Sequence, residues 1–378
     1  MKTRNAIFGM LALSAAMFFT ACEKETVLPK DQETTILPER FKIDIPSSLS
    51  NSTHKSGSLK SAKADTISGN EIYENLQMFI AIGEGTSDIV ESIIFHIKLY
   101  HIQDIGELTF TGDDDSRVKH LVVESGVDFD NRTWEYMLTI TDLESEGNAD
   151  GGIGMQVFWN NSPIEGVAII KPSNLNHNDT EKLGEAMYSV EYSEKGLGDY
   201  EAYMIVQISN LPMASTIIDR YAVNAIKMFV GKKGDIIDVY GNSNHPNAQF
   251  FTDKTGFNWA FVASGQQTAD IAVAEVALPP STLDETSRTI ILKDYSLKSV
   301  FTSEINTWFL ETYGVRPDSS DLAGYLRNAD APGFFANGSF IQGGTAPNNN
   351  YGELLIRIEG LTPYNPISIS ELSLVFKQ

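Results

Sequence analysis

Thr133-Trp134-Glu135-Tyr136-Met137-Leu138-Thr139-Ile140 places a bulky residue at every second position. In an extended chain successive side chains point to opposite faces. Trp134, Tyr136, Leu138 and Ile140 therefore share one face, and Thr133, Glu135 and Thr139 the other. Ile153, Met155, Val157 and Trp159 repeat the pattern, and Asn160-Asn161-Ser162-Pro163 turns the chain into a further run at residues 164–170. Runs at 187–192 and 200–208 flank a loop with Gly196 and Gly198; runs at 225–230 and 235–240 flank Gly231-Lys232-Lys233-Gly234. Residues 257–263 and 271–278 continue the series before Pro279-Pro280 ends it. Strands joined one to the next by short turns predict an antiparallel meander. No crossover-helix pattern separates them, which argues against a parallel α/β sheet.

Outside the meander the period changes. Ile72, Leu76, Phe79 and Ile80 recur at helical spacing, and Gly83 and Gly85 are expected to break that helix. Thr86 or Ser87 can cap a second one, with Ile89, Ile93 and Ile97 plus Val90 and Ile94 as its apolar stripe. The β-branched run 93–102 also admits a strand. Ser303 can cap a helix over 304–313 that stops at Gly314, and a shorter helix is expected at 320–328. Residues 333–350, rich in Gly and Asn, read as loop; 354–358 and 372–376 read as two closing strands, the last pairing back into the main sheet. The expected fold is α+β: an antiparallel β meander, as a curved sheet or open barrel, with N-terminal helices and a helical insertion before C-terminal strands. The expected division is a signal peptide at 1–21, a tether at 22–70 and an α+β body at 71–378. Within the body, 71–116 is mainly helical, 117–280 meander, 281–332 the helical insertion and 333–378 the C-terminal strands.

The N-terminus supplies an address. Lys2 and Arg4 precede an apolar run from Ala6 to Phe19, then Thr20 and Ala21 precede Cys22, the single cysteine. That is the layout of a secretory signal peptide, and the apolar run is short for a membrane span of about 20 residues. Phe19-Thr20-Ala21-Cys22 resembles a bacterial lipobox, with phenylalanine where leucine is usual. The resemblance implies cleavage before Cys22 and acylation of its thiol, with palmitate among the expected chains, so that the bilayer becomes a partner. Two or three acyl chains, at roughly 0.8 kcal/mol per buried CH₂, anchor far better than one. Residues 22–70, rich in Ser, Thr, Lys and Glu and carrying Pro29, Pro38 and Pro46, read as a disordered tether. Cys22-Glu23-Lys24-Glu25 partly resembles the Bacteroidota surface-export signal, and Asp65-Thr66-Ile67 resembles the O-glycosylation motif of that phylum; a solvated, charged linker accounts for both equally. Asp113-Asp114-Asp115, residues 156–160, residues 241–247 and residues 257–262 are similar to strings in uncharacterised Bacteroidota outer-membrane or surface lipoproteins. That resemblance implies an exported, outer-membrane location, surface-exposed or periplasmic, and supplies no chemistry.

The formal net charge is -22, and loss of Lys2 and Arg4 with the signal makes it more negative. Such acidity argues against nucleic acid, whose phosphates need cationic contacts. With Cys22 lipidated, the body has no thiol for disulfides, nucleophilic catalysis or Cys-ligated metals. The chain contains no Walker A, G-x-S-x-G or H-E-x-x-H motif. His96 and His101, five residues apart, cannot share a metal from one helix face. No cofactor is expected, and the balance leans away from an enzyme.

The candidate ligand-binding residues are Asn242, Asn244, His245, Asn247 and Trp259, with Phe250, Phe251 and Phe257 nearby. Amides bond hydroxyls and rings stack on the apolar faces of sugars; the same residues also simply build a long turn over a core. Asp142, Glu144, Glu146 and Asp150 fall at calcium-loop positions 1, 3, 5 and 9, with Gly147 at position 6. Ile153 stands where a bidentate glutamate is required, so this is a weak calcium candidate beside a solvated acidic hairpin loop. Three functions remain open: a tethered non-enzymatic binding or structural protein, an envelope carrier of an apolar ligand held under a curved sheet, and a glycan hydrolase. The partner is correspondingly a glycan, an apolar small molecule or neither.

Overall fold

A computed structural model of the chain describes residues 36–51, 67–99, 106–213, 221–252 and 255–377. Cys22 and Thr66 lie outside these residues; of the stretch expected to be a disordered tether, 36–51 is instead packed, with Leu37, Phe41, Ile43, Ile45 and Leu49 buried. The chain divides into two units: one takes the described parts of Met1–Lys42, Gly85–Pro212 and Ser373–Gln378, the other those of Ile43–Glu84 and Met213–Leu372. The class is α+β, with strands that follow chain order in an antiparallel, unclosed meander.

In the first unit, β2 (Gly106–Thr111), β3 (Val118–Phe129), β4 (Arg132–Asp142), β5 (Ile153–Asn161), β6 (Ile164–Ile170), β7 (Met187–Ser193) and β8 (Ala202–Ser209) each pair antiparallel with the next. Asp130 and Asn131, at φ 51° and 56°, make the turn between β3 and β4, the left-handed pair that a tight hairpin needs and that Asn and Asp tolerate. The register aligns one buried row across six strands: Val123, Leu138, Val157, Ala168, Val190 and Val206. Leu138 and Val157, from the alternating faces expected of these strands, thus lie on one interior face of the sheet, whereas Trp134, expected beside Leu138, packs on the other. The opposite face is also covered, by a cluster of Trp134, Met137, Phe158, Val167 and Ile169 with Phe376. The C-terminal segment is not the strand expected at 372–376. Lys377 instead donates its backbone N–H to Gln156 Oε1 at 2.7 Å, and Gln156 Nε2 donates to the Lys377 carbonyl at 3.1 Å. A side chain takes the bonds that a strand partner would have supplied.

The second unit holds β9 (Ala225–Lys233), β10 (Ile236–His245), β11 (Phe257–Gln266) and β12 (Ile271–Ala277), then β14 (Gly333–Ala336) and β15 (Ser339–Gly343). Two short strands, β1 (Ile67–Ser68) and β13 (Leu326–Arg327), pair in parallel. Helices α2 (Leu297–Tyr313) and α3 (Ser319–Tyr325) fill the expected insertion. Ser296, not Ser303, caps α2, and Gly314 ends it at φ 72° as expected. The last strands are β14 and β15, within the stretch expected to be loop. Residues 354–358 instead lie in α4 (Gly352–Glu359). Leu354 and Ile358 are buried, four residues apart, while Ile356 between them is 73% exposed; an apolar strand face would have hidden it. With Tyr351 and Leu361 they cover one side of the sheet over Ile236, Val262 and Val273.

Helix α1 runs unbroken from Gly69 to Leu99, so Gly83 and Gly85 do not end it and no new cap forms at Thr86 or Ser87, both fully buried within it. Ser68 Oγ accepts from the Glu71 N–H at 3.1 Å and caps the start. A glycine inside a helix costs about 1 kcal/mol; burial of Ile72, Tyr73, Leu76, Phe79 and Ile80, at about 1.5–3 kcal/mol for each fully buried large side chain, outweighs that. A Cβ on Gly83 would press on the flexible end of the Met228 side chain, which would have to move aside. Gly333 lets Tyr73 approach the sheet: a Cβ on it would lie 2.6 Å from the tyrosine ring.

Candidate functional site

The polar candidates lie in the second unit, and they are interior. Asn242, Asn244 and His245 belong to β10 rather than to a long turn, and Trp259 lies on β11. All four are buried, and Asn247, beyond the strand end, is exposed. The two faces of β10 use their polar groups differently. Asn242 Nδ2 donates to Asn258 Oδ1 at 2.7 Å, Asn258 Nδ2 to the Pro366 carbonyl at 3.1 Å, and Asn244 Nδ2 to Ser281 Oγ at 3.0 Å. These amides tie the sheet to the segments covering it. On the helix-facing side, the His245 ring lies 4.8 Å from Phe79 and 5.5 Å from Trp259, with Ser243 Oγ 2.7 Å from its Nε2. Burial pushes the His245 imidazolium down to about 3, and the Ala222 and Tyr221 backbone carbonyls, acceptors that favour the charged ring, do not offset it. The ring is therefore neutral at ordinary pH.

The calcium candidates Asp142 and Asp150 point to separate partners. Asp142 is fully buried; it accepts from Ser145 Oγ at 3.0 Å and sits 3.1 Å from Arg117 and 3.5 Å from Lys119. Asp150 is paired with Lys171 at 2.8 Å and accepts from Asn174 Nδ2 and the Gly152 N–H. Glu144 lies 3.4 Å from Arg117, and Glu146 is exposed. Among the described residues, no three His, Cys, Asp or Glu side chains converge as a metal-binding group.

A cavity of about 300 Å³ lies instead in the first unit. Ile93, His96 and Ile97, from the C-terminal turns of α1, form one wall; Leu108 and Phe110 of β2 form another. Leu121 and Ile140, from β3 and β4, and Leu175 complete the apolar lining. Every residue of β2 is exposed, and Leu108 and Phe110 remain 38% and 37% exposed although they line the cavity. The cavity is thus an open groove, with Phe95 a further exposed apolar ring on α1, 56% accessible. Helical spacing reveals the α1 wall in the sequence. The β2 wall went unread, since residues 71–116 read as mainly helical, although Leu108 and Phe110 alternate with Glu107 and Thr109.

Asp113, Asp114, Asp115 and Lys119 form the polar end of the groove. The three acids sit on the turn after β2, as Gly112 implies. Asp115 is held firmly: Lys119 Nζ at 2.8 Å, the His177 N–H at 2.9 Å and the Arg117 N–H at 3.0 Å all donate to it. Burial raises its carboxyl, but these three donors outweigh burial and hold it below the usual range. Asp114 moves the other way, raised by desolvation and then by the carboxylates of Asp115, Asp113 and Asp179. Lys119 also donates to the Asn174 carbonyl at 3.1 Å, so this buried cation is committed to the protein. No family model, curated protein or solved structure matches the chain.

Proposed function

We propose that this protein is a lipid-anchored, non-enzymatic binding protein of the bacterial envelope that captures an apolar ligand in the groove between α1 and β2. The observation that carries the reading is the groove itself. Ligand sites are concave, mainly apolar and about 300–1,000 Å³ in volume, and this one has that size and lining. Apolar side chains left open to water are costly unless something covers them. Acylated Cys22 would hold the chain to the outer membrane, and the tether would carry the body away from the bilayer, at the cell surface or in the periplasm. The resemblance of several of the chain's sequence strings to Bacteroidota lipoproteins is in keeping with that placement. The buried amides and Trp259 give less support to a glycan surface, and the groove's acids come from one turn rather than from two facing walls, as paired catalytic carboxylates would require.

The test is binding of the neutral, environment-sensitive dye N-phenyl-1-naphthylamine to the full chain. Fluorescence should rise saturably, and Phe110→Asp should remove the rise while leaving the circular dichroism spectrum intact. Dye binding that is indifferent to Phe110→Asp and Ile97→Asp alike counts against the groove. Cys22→Ala should abolish incorporation of labelled palmitate; continued labelling would overturn the anchor.

A further inference from the structure

We infer that the groove selects single-chain amphiphiles with a protonated amine, and that Asp113 and Asp114 form the head-group site. This rests on the reading of the groove as a capture site and adds the chemical class of the ligand.

Size limits the apolar part. The groove's 300 Å³ is at the lower end of ligand-site volumes of about 300–1,000 Å³, a size that suits one alkyl chain or a small ring system.

Charge decides the head. Among the described residues, two cations, Lys119 and Arg117, lie beside the polar end, and both are paired. Lys119, 3% accessible at its side chain, is shared by Asp115 and Asp142; Arg117 is shared by Asp142 and Glu144. Three carboxylates thus already answer two cations. Asp113 and Asp114 come on top of these, and among the described residues neither has an ion-pair partner. The raised Asp114 carboxyl agrees with this local excess of negative charge. A carboxylate or phosphate head entering here would meet two like charges and, among the described lysines and arginines that line the groove, only Lys119, already paired with Asp115 and Asp142. An ammonium would meet two carboxylates at the end of an apolar wall, and it would relieve their mutual repulsion.

The experiment compares decylamine, decanol and decanoate, matched in chain and each below its aggregation threshold, by displacement of the same dye from the full chain at pH 7. Decylammonium should bind about fivefold more tightly than decanol, the scale of a partly exposed ion pair, and decanoate more weakly than both. Asp113→Asn combined with Asp114→Asn should bring decylammonium down to decanol while leaving decanol unchanged, which also reports an intact groove. Equal binding of amine and alcohol to the unsubstituted chain overturns the head-group site and leaves apolar capture standing. An amine advantage that survives in the double variant overturns the assignment to these two acids and traces it to the general acidity of the chain. Loss of decanol binding in the double variant makes the acids part of the groove's framework and also overturns the assignment. If none of the three displaces the dye, the capture reading itself fails.

Discussion

The end of β10 and the face of β2 invert the usual placement of side chains. At β10, Asn242, Ser243, Asn244 and His245 are buried, while at β2 Leu108 and Phe110 stand open to water. The buried polar groups are tolerable because their donors find partners inside, Asn242 on Asn258, Asn244 on Ser281 and Ser243 beside the His245 ring, while Asn242 Oδ1 and His245 Nδ1 are buried without one among the described residues. A buried amide without partners would cost several kcal/mol, so such a network has little freedom to serve a ligand. The exposed apolar groups have no comparable compensation within the described fold. Polarity in a sequence therefore does not by itself locate a binding site; what matters is whether the fold has already used the group.

The contrast should be largest in stability. Trp259→Ala removes a fully buried ring that packs edge-on against Phe79 at 5.2 Å and Tyr221 at 5.8 Å. We expect a loss of about 3–5 kcal/mol, read as a lowered denaturant midpoint. Adding Asn244→Ala should lower the midpoint further. A well-folded Trp259→Ala chain that had lost affinity for glycans would return this region to ligand binding and break the comparison.

Acid should separate the same two regions. His245 is neutral and buried in the folded chain, with its pKa pushed down to about 3, and is near 6.5 when unfolded. Between those values the unfolded chain binds the extra proton, so stability rises with pH and is lost as pH falls from about 6.5 toward 3. The slope is about 1.4 kcal/mol per pH unit for this one group. His245→Gln should flatten that part of the pH dependence, measured by denaturation at pH 6, 5 and 4. An unchanged slope would mean that the ring is not sealed from solvent in solution.

How much of this could be read beforehand depends on what periodicity encodes. Period-two alternation reports a strand with one face buried, and it located the meander from Trp134 onward. It misled at Leu354-Leu355-Ile356-Arg357-Ile358, where the spacing fits a strand face and a helix stripe equally. The cover over Val262 and Val273 decides for the helix. At Gly83 the sequence shows a helix breaker; that the helix continues through it, with Met228 packed close, is visible only in three dimensions. The candidate sites were least legible. Asn and Trp look the same in a string whether buried or exposed. The groove is assembled from positions as far apart as Ile93, Phe110, Ile140 and Leu175, and no local pattern announces a volume left unfilled.

The smallest expected effect on stability is also the sharpest test of the comparison. Phe110→Asp replaces a partly exposed ring on an edge strand that is exposed along its whole length. Surface substitutions away from packed features shift stability by about 0.5 kcal/mol or less, so the denaturant midpoint should barely move. The same change places a carboxylate in the apolar wall of an already acidic groove, where an apolar ligand would have to strip its water on entering. Dye affinity should fall by at least tenfold while the fold persists. Trp259→Ala predicts the reverse ordering, a large loss of stability and no effect on dye affinity under conditions where the chain remains folded. If Phe110→Asp instead unfolds the chain, Phe110 is core that the fold requires, and the distinction between spent and available side chains fails at β2.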